Sequence, residues 1–209
     1  MSKHPEQLGF DALLETAAQD NTARVFEQET SHLPSDWTEA IAFHRRQIER
    51  HNDAMLANDF DAAMAIRNDA YLLARKLNGG APGILAGEDA PGCVLARKVA
   101  AKDGYVPLWG QDGVFAVRAA GMAFNVEMNG MFGIGATAMP YLGFSVRAVD
   151  CTKPFLSETG YRSFLGVSVE PVLDMTVAGF VCRVVELHVA NELKGKLLSV
   201  AVEYREQRS

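Results

Sequence analysis

The sequence predicts an α+β protein: an N-terminal helical hairpin region, then an antiparallel sheet with two flanking helices. Three observations carry this. Apolar residues recur at 4-3-4-3-4 spacing from Trp37 to Met55 and at 3-4-3-4 spacing from Ala63 to Leu77, as on helices with one buried face. The run Gly79-Gly80-Ala81-Pro82-Gly83 ends that pattern. Beyond it, glycine-punctuated segments of alternating polarity take over, the period-2 pattern of strands.

The helical region extends to about residue 80. Phe10, Leu13, Leu14 and Ala17 predict a helix that fades at Gln19-Asp20-Asn21, and Val25 and Phe26 a second short one ended before Pro34. Asp36-Trp37-Thr38-Glu39 fits a capping box: the Asp36 carboxylate accepts from the orphan amide at N3, and Glu39 reaches back to the cap amide. Trp37, Ile41, His44, Ile48, His51 and Met55 then line one face, with Arg45, Arg46, Glu49, Arg50 and Asp53 opposite. Asn58 is the next predicted N-cap, opening a helix through Ala63, Ile66, Ala70, Leu73 and Leu77. The short connection folds the pair into an antiparallel hairpin over 36–77. Asn78-Gly79-Gly80 stops it.

Residues 84–209 form the sheet part, either as a separate domain or sharing one core with the helices. Pro91 at a first-turn position opens a helix from Val94 to Ala101, ended by Lys102-Asp103-Gly104. Strands are predicted over Val114–Ala119 and Met122–Met128. Asn129-Gly130 is the strongest hairpin signal, since a type I′ turn needs positive φ at both central residues; Met131–Ala138 would return antiparallel, followed by Leu142–Val149. Asp174 is placed to cap a helix through Val177, Val181, Val184 and His188, whose β-branched content also permits a strand. Lys194-Gly195-Lys196 ends it, and Leu197–Tyr204 reads as a closing strand.

The chain has 209 residues, 48% of them hydrophobic and 22% charged, a globular composition. The formal charge of −6 argues against a nucleic-acid partner, which calls for excess Lys and Arg. Cys93, Cys151 and Cys182 form no C-x-x-C and are odd in number, pointing to a reducing compartment. Residues 1–7 lead into an amphipathic pattern with no apolar h-region, so no signal peptide is expected. The longest apolar runs fall short of the ~20 residues that cross a bilayer. A cytoplasmic protein with no membrane association follows.

Several motifs lose to simpler readings. His44 and His51 lie two helical turns apart, about 10.5 Å, whereas two ligands of one zinc sit within ~3.5 Å. No metal site is expected there; both sit at the border of a packed seam. Gly133-Ile134-Gly135-Ala136-Thr137-Ala138 fits G-x-G-x-x-A, but Pro140 and Gly143 follow where a dinucleotide site needs a helix. Gly195-Lys196 is followed by Leu197, not by the hydroxyl residue of a phosphate loop. No cofactor is expected. Met122, Met128, Met131 and Met139 are either ordinary core or a pliable apolar surface. His188 falls on an apolar helix face.

Chemistry concentrates in residues 150–166, a loop by its Pro and Gly punctuation, and loops that follow strands are where sites are mounted. Its candidate ligand-binding residues are Asp150, Lys153, Ser157, Glu158, Tyr161, Arg162 and Ser163. A tight turn at Ser157-Glu158-Thr159-Gly160 would present Tyr161, Arg162 and Ser163 together, a planar guanidinium with two hydroxyls suited to a carboxylate or phosphate. Alternatively Arg162 pairs with Asp150 or Glu158 and pins the loop, with Phe155, Tyr161 and Phe164 buried beneath. Ser157 or Cys151 as nucleophile and Lys153 or Glu158 as base would make a catalytic version, but no spacing matches a triad or a G-x-S-x-G elbow.

Lys153-Pro154-Phe155-Leu156-Ser157-Glu158-Thr159-Gly160-Tyr161-Arg162-Ser163-Phe164, with Glu192-Leu193-Lys194-Gly195-Lys196-Leu197, resembles bacterial proteins that accompany plasmids and integrated elements. The resemblance implies a bacterial accessory protein and brings no activity, cofactor or catalytic residue with it. The expected function is a non-catalytic binding or adaptor protein. It would be a homo-oligomer, a dimer foremost, taking a protein partner or a small anionic ligand. The alternative is a small enzyme acting on an anionic substrate, with Arg162 clamping it and Ser157 or Glu158 reacting.

Overall fold

A computed structural model describes residues 5–84, 87–133, 143–165 and 169–206, with backbone alone for 5–13, 15 and 206. It is an α+β protein in which helices precede a four-stranded antiparallel sheet. The first helix, α1 (Pro5–Glu29), is continuous where two helices were predicted. Gln19-Asp20-Asn21 are weak helix formers, but no proline or glycine follows Gly9 to break the helix. It ends where the Thr30 hydroxyl bonds the Phe26 carbonyl at 2.8 Å.

Helix α2 (Trp37–Leu56) starts as predicted, the Asp36 carboxylate accepting from the N–H groups of Thr38 at 2.8 Å and Glu39 at 3.0 Å. Its buried face holds Ala40, His44, Gln47, Ile48, His51 and Met55, while Trp37 stays 39% exposed. The cap of α3 (Phe60–Leu77) is Asp59, accepting from Ala62 N–H at 3.0 Å, rather than Asn58. Asn58 instead takes the left-handed conformation (φ 56°) that turns the chain between the helices. The short helix α4 (Pro91–Val99) packs on both.

The Gly79–Gly83 run is fastened on both sides. Arg75 Nε donates to the Gly80 carbonyl at 2.7 Å, Asn78 Nδ2 to the Pro82 carbonyl at 2.8 Å, and Gly92 N–H to the Gly83 carbonyl at 2.9 Å. A Cβ at Gly83 would stand 2.5 Å from the Ala74 carbonyl oxygen, so only glycine allows this approach.

Strands β1 (Gly113–Ala119), β2 (Met122–Met128), β3 (Phe144–Ala148) and β4 (Tyr161–Phe164) form an antiparallel meander in chain order. The bounds of β2 match the prediction. The hairpin, however, turns at Ala120-Gly121, with φ 50° and 78°, as a type I′ turn requires. Asn129-Gly130 makes no such turn, since neither residue has positive φ. The Asp112 carboxylate accepts from the Gly130 N–H, and the Met131 N–H reaches the Gly110 carbonyl at 2.9 Å. Tertiary anchoring to the 110–112 loop overrides the local signal. Met131, Phe132 and Gly133 form a turn instead of a returning strand, and 134–142 lie outside the described residues.

One sheet face carries Phe115, Phe124, Val126, Phe144 and Val146, and α5 (Val177–Asn191) covers it with Phe180, Val181 and Val184. The helix reading of this segment holds, but its cap is the Thr176 hydroxyl, 3.2 Å from Gly179 N–H, while Asp174 (φ 60°) lies in the preceding turn. Met122, Met128 and Met131 are buried, and Met139 lies outside the described residues. Met55 and Ala63 of the helical hairpin join the same apolar cluster. Trp109 sits at the junction, fully buried: its N–H meets the Asn52 side-chain oxygen at 3.2 Å, its carbonyl faces His51 Nδ1 at 3.1 Å, and its indole N–H donates to the Met175 carbonyl at 2.8 Å.

The predicted closing strand shrinks to one bridge, with Phe155 and Leu198 exchanging N–H···O bonds of 2.7 and 2.8 Å. The Ala201 N–H then goes to the Glu158 carbonyl at 2.8 Å, and the chain coils into α6 (Val202–Glu206). Among the described residues no helix is long and apolar enough to cross a membrane.

Candidate functional site

The 150–166 segment is not one continuous loop, because β4 lies inside it. A strand sends successive side chains to opposite faces. Register fixes which: Tyr161 and Ser163 lie across from Arg147 and Ser145 on the face away from α5, and Arg162 and Phe164 lie across from Val146 and Phe144 on the α5 face. Tyr161, Arg162 and Ser163 therefore do not present one joint surface. The guanidinium of Arg147 lies 4.5 Å from the centre of the Tyr161 ring.

Arg162 is exposed, 6.0 Å from the Phe164 ring centre, and enters no ion pair with Asp150 or Glu158. With Leu187, His188 and Glu192 it lines a cleft between β4 and α5. His188 there has its pKa lowered by desolvation and then by Arg162. Ser157, half-buried, gives its hydroxyl to the turn, donating to the Tyr161 carbonyl at 2.6 Å. Glu158 is exposed, and its carbonyl holds Ala201.

Asp150 and Lys153 stand apart from this group, beside the β1–β2 turn. Asp150 accepts from the Thr152 hydroxyl at 2.5 Å and the Thr152 N–H at 3.0 Å and pairs with Lys153 Nζ at 3.3 Å. The Thr152 hydroxyl first, then the other two, hold its carboxyl below the usual carboxylate range. Both residues border a cleft of about 420 Å³. Arg118, Met122, Ala123, Ala148 and Val149 are among its lining residues. Arg118 enters no salt bridge among the described residues, while Lys153 and Asp150 answer each other. The net character is an apolar hollow with one uncompensated guanidinium.

The candidate set of the sequence is thus divided between two clefts and a turn. Arg118 was missed. Its signal was its place in β1, two residues before the turn pair, but that depends on where the hairpin turns, and Asn129-Gly130 pointed elsewhere. No group of His, Cys, Asp or Glu able to hold a metal exists among the described residues, and the three cysteines are unpaired. His44 and His51 are core residues, Nδ1 of each 3.1 Å from an oxygen, of Gln47 and Trp109 respectively. Burial pushes both pKa values down to about 4.

The chain is similar to proteins described as Protein KlcB from Escherichia coli. One match is 36% identical over 149 residues, covering 68% of this chain and 31% of the relative. Another is 36% identical over 135 residues, covering 64% and 32%. The chain spans about a third of the length of the curated relatives it matches. The similarity agrees with the bacterial affiliation suggested by residues 153–164. No family model matches the chain, and no solved structure matches it.

Proposed function

We propose that this is a non-catalytic binding or adaptor protein of the bacterial cytoplasm, working as a homo-oligomer. Its ligand is a small anion with an apolar part, or an acidic side chain of a protein partner, held in the cleft beneath the β1–β2 turn. The observation that carries this is Arg118, uncompensated at the wall of an apolar hollow of about 420 Å³. An anionic group would meet the guanidinium while its carbon skeleton rests on Ala123, which lies across from Arg118, and on Val149. The resemblance to plasmid-accompanying proteins and the similarity to Protein KlcB support an accessory role. The formal charge of −6 speaks against nucleic acid.

A catalytic role for the 150–166 segment finds less support. It would gather Arg162, Ser157 and Glu158 about one concavity, yet the Ser157 hydroxyl is engaged by Tyr161.

Titration of the isotope-labelled chain with inorganic phosphate, with hexanoate and with an acidic peptide tests the proposal. Saturable shifts at Gly121, Ala123 and the Arg118 side chain are expected with at least one probe, and their loss in Arg118→Gln. No saturable binding, or binding unchanged in Arg118→Gln, overturns it.

A further inference from the structure

Two surfaces of this chain lack cover. The first is α1. From Leu14 to Val25, wherever its side chains are described, they are exposed, Leu14 at 54% and Val25 at 43%. It is tied to the body near its C-terminal end, where the Arg75 guanidinium lies 4.3 Å from the centre of the Phe26 ring. Helices in water draw most of their stability from a packed face, so a helical stretch whose described side chains are all exposed calls for a partner surface. Its sequence is acidic: Glu6, Asp11, Glu15, Asp20, Glu27 and Glu29 against Arg24 alone. None of the described acids Asp20, Glu27 and Glu29 forms a salt bridge among the described residues.

The second surface runs along the outer edge of β1. Tyr105 is 69% exposed, Val106 48%, Leu108 39% and Val114 46%. They belong together: the Gly104 N–H bonds the Val114 carbonyl at 2.8 Å, and a Cβ at Gly113 would touch Pro107 at 3.0 Å. Contiguous exposed apolar surface of this kind marks an interaction site. Lys102 shares the Tyr105 turn, its carbonyl accepting the Tyr105 N–H at 3.0 Å, and exposed Lys98 precedes it on α4. Asp103 is the acid nearest in sequence.

We propose that α1 of one copy covers the Tyr105–Val106–Leu108–Val114 strip of a second copy, giving a reciprocal dimer. Charge selects this pairing. Two α1 helices set side by side would repel, whereas the acidic helix complements a strip preceded in the chain by exposed Lys98 and Lys102, with Asp103 the one acid beside them. A two-fold axis makes the contact twice, so each copy lends an arm and receives one. This inference rests on the homo-oligomeric reading above and names the surfaces that would serve it.

Sedimentation and light scattering of the full chain test it, with circular dichroism confirming that each variant keeps its helix and sheet content. The wild-type mass should be that of a dimer. Val106→Asp on the strip, or Leu14→Asp on α1, should weaken association at least about tenfold, because either buries an unpaired charge at the contact. Lys98→Glu/Lys102→Glu and Asp20→Lys/Glu27→Lys should each favour monomers alone, yet form a mixed dimer when combined. A monomeric wild type overturns both this contact and the oligomer reading. A wild-type dimer untouched by Val106→Asp and Leu14→Asp overturns this contact alone. Failure of the charge-swapped pair to recombine, with both partners folded, also overturns it.

Discussion

The Ser157 hydroxyl donates to the Tyr161 carbonyl at 2.6 Å and accepts from the Tyr161 N–H at 3.2 Å. Thr159 makes the same two contacts at 3.1 and 3.3 Å. The Ala148 N–H bonds the Gly160 carbonyl at 2.9 Å, so by the antiparallel alternation Arg162 and Phe164 share ladder bonds with β3, while the backbone groups of Tyr161 point outward. Ser157 and Thr159 thus stand in for a missing neighbouring strand. Side chains close an edge that would otherwise invite pairing.

Removing that substitute has a defined effect. Ser157→Ala should cost about 1 kcal/mol, the worth of one net hydrogen bond, and Ser157→Ala/Thr159→Val should cost more than either change alone. Urea unfolding measures this. Anion binding at Arg118 should be unchanged in both variants, since neither hydroxyl reaches that cleft.

Acid should destabilise the fold through α2. His44 and His51 are buried, and their pKa values fall from 6.5 to about 4, by desolvation first. A hydrogen bond donated to the Gln47 side-chain oxygen or to the Trp109 carbonyl offsets this only in part, and for His51 the nearby Arg67 lowers it further. Both are neutral in the folded chain above that value, while the unfolded chain takes up protons from about pH 6.5 downward. The unfolded state therefore binds more protons between these limits, and stability is lost as pH falls from about 6.5 to 4, by a few kcal/mol. Denaturation midpoints at stepped pH check this. His51→Gln should flatten the slope, whatever its effect on stability at neutral pH.

The β1–β2 turn holds a correctable strain. Ala120 sits at φ 50°, where an L-residue other than Asn or Gly is disfavoured. Ala120→Asn would place Asn-Gly in this type I′ turn and should raise stability by about 0.5–1 kcal/mol, read from the denaturant midpoint at constant slope.

Trp109→Phe should cost about 2–3 kcal/mol, because it opens a void beside Phe180, 5.2 Å away between ring centres, and leaves the Met175 carbonyl without its donor. Fluorescence gives an independent reading. Trp109 is fully buried and Trp37 is 39% exposed, so the remaining emission should shift to the red.

Local chemistry was legible where it acts alone. Asp36 announces the start of α2, and the alternation of Met122–Met128 gives β2 with its bounds. It failed where distant residues compete for the same groups. Asn129-Gly130 has the better hairpin chemistry, yet the Asp112 carboxylate and the Gly110 carbonyl claim Gly130 and Met131, and the turn falls to Ala120-Gly121. Asn58 and Asp59 can each cap a helix, and the need for a left-handed residue between α2 and α3 assigns the cap to the second. The candidate site suffered most. Whether Tyr161, Arg162 and Ser163 face one way or two depends on the pairing of β4 with β3, which no residue within 150–166 declares.

The Gly79–Gly83 run, composed like a swivel, behaves as a rivet. Its carbonyls are gripped from α3 and from the start of α4, and the backbone at Gly83 lies against Ala74 too closely for any side chain. Spin labels placed on the exposed sides of α3 and α4 should accordingly report one narrow separation rather than a spread. A force applied along α3 would pass through this run into α4 instead of dissipating at the turn.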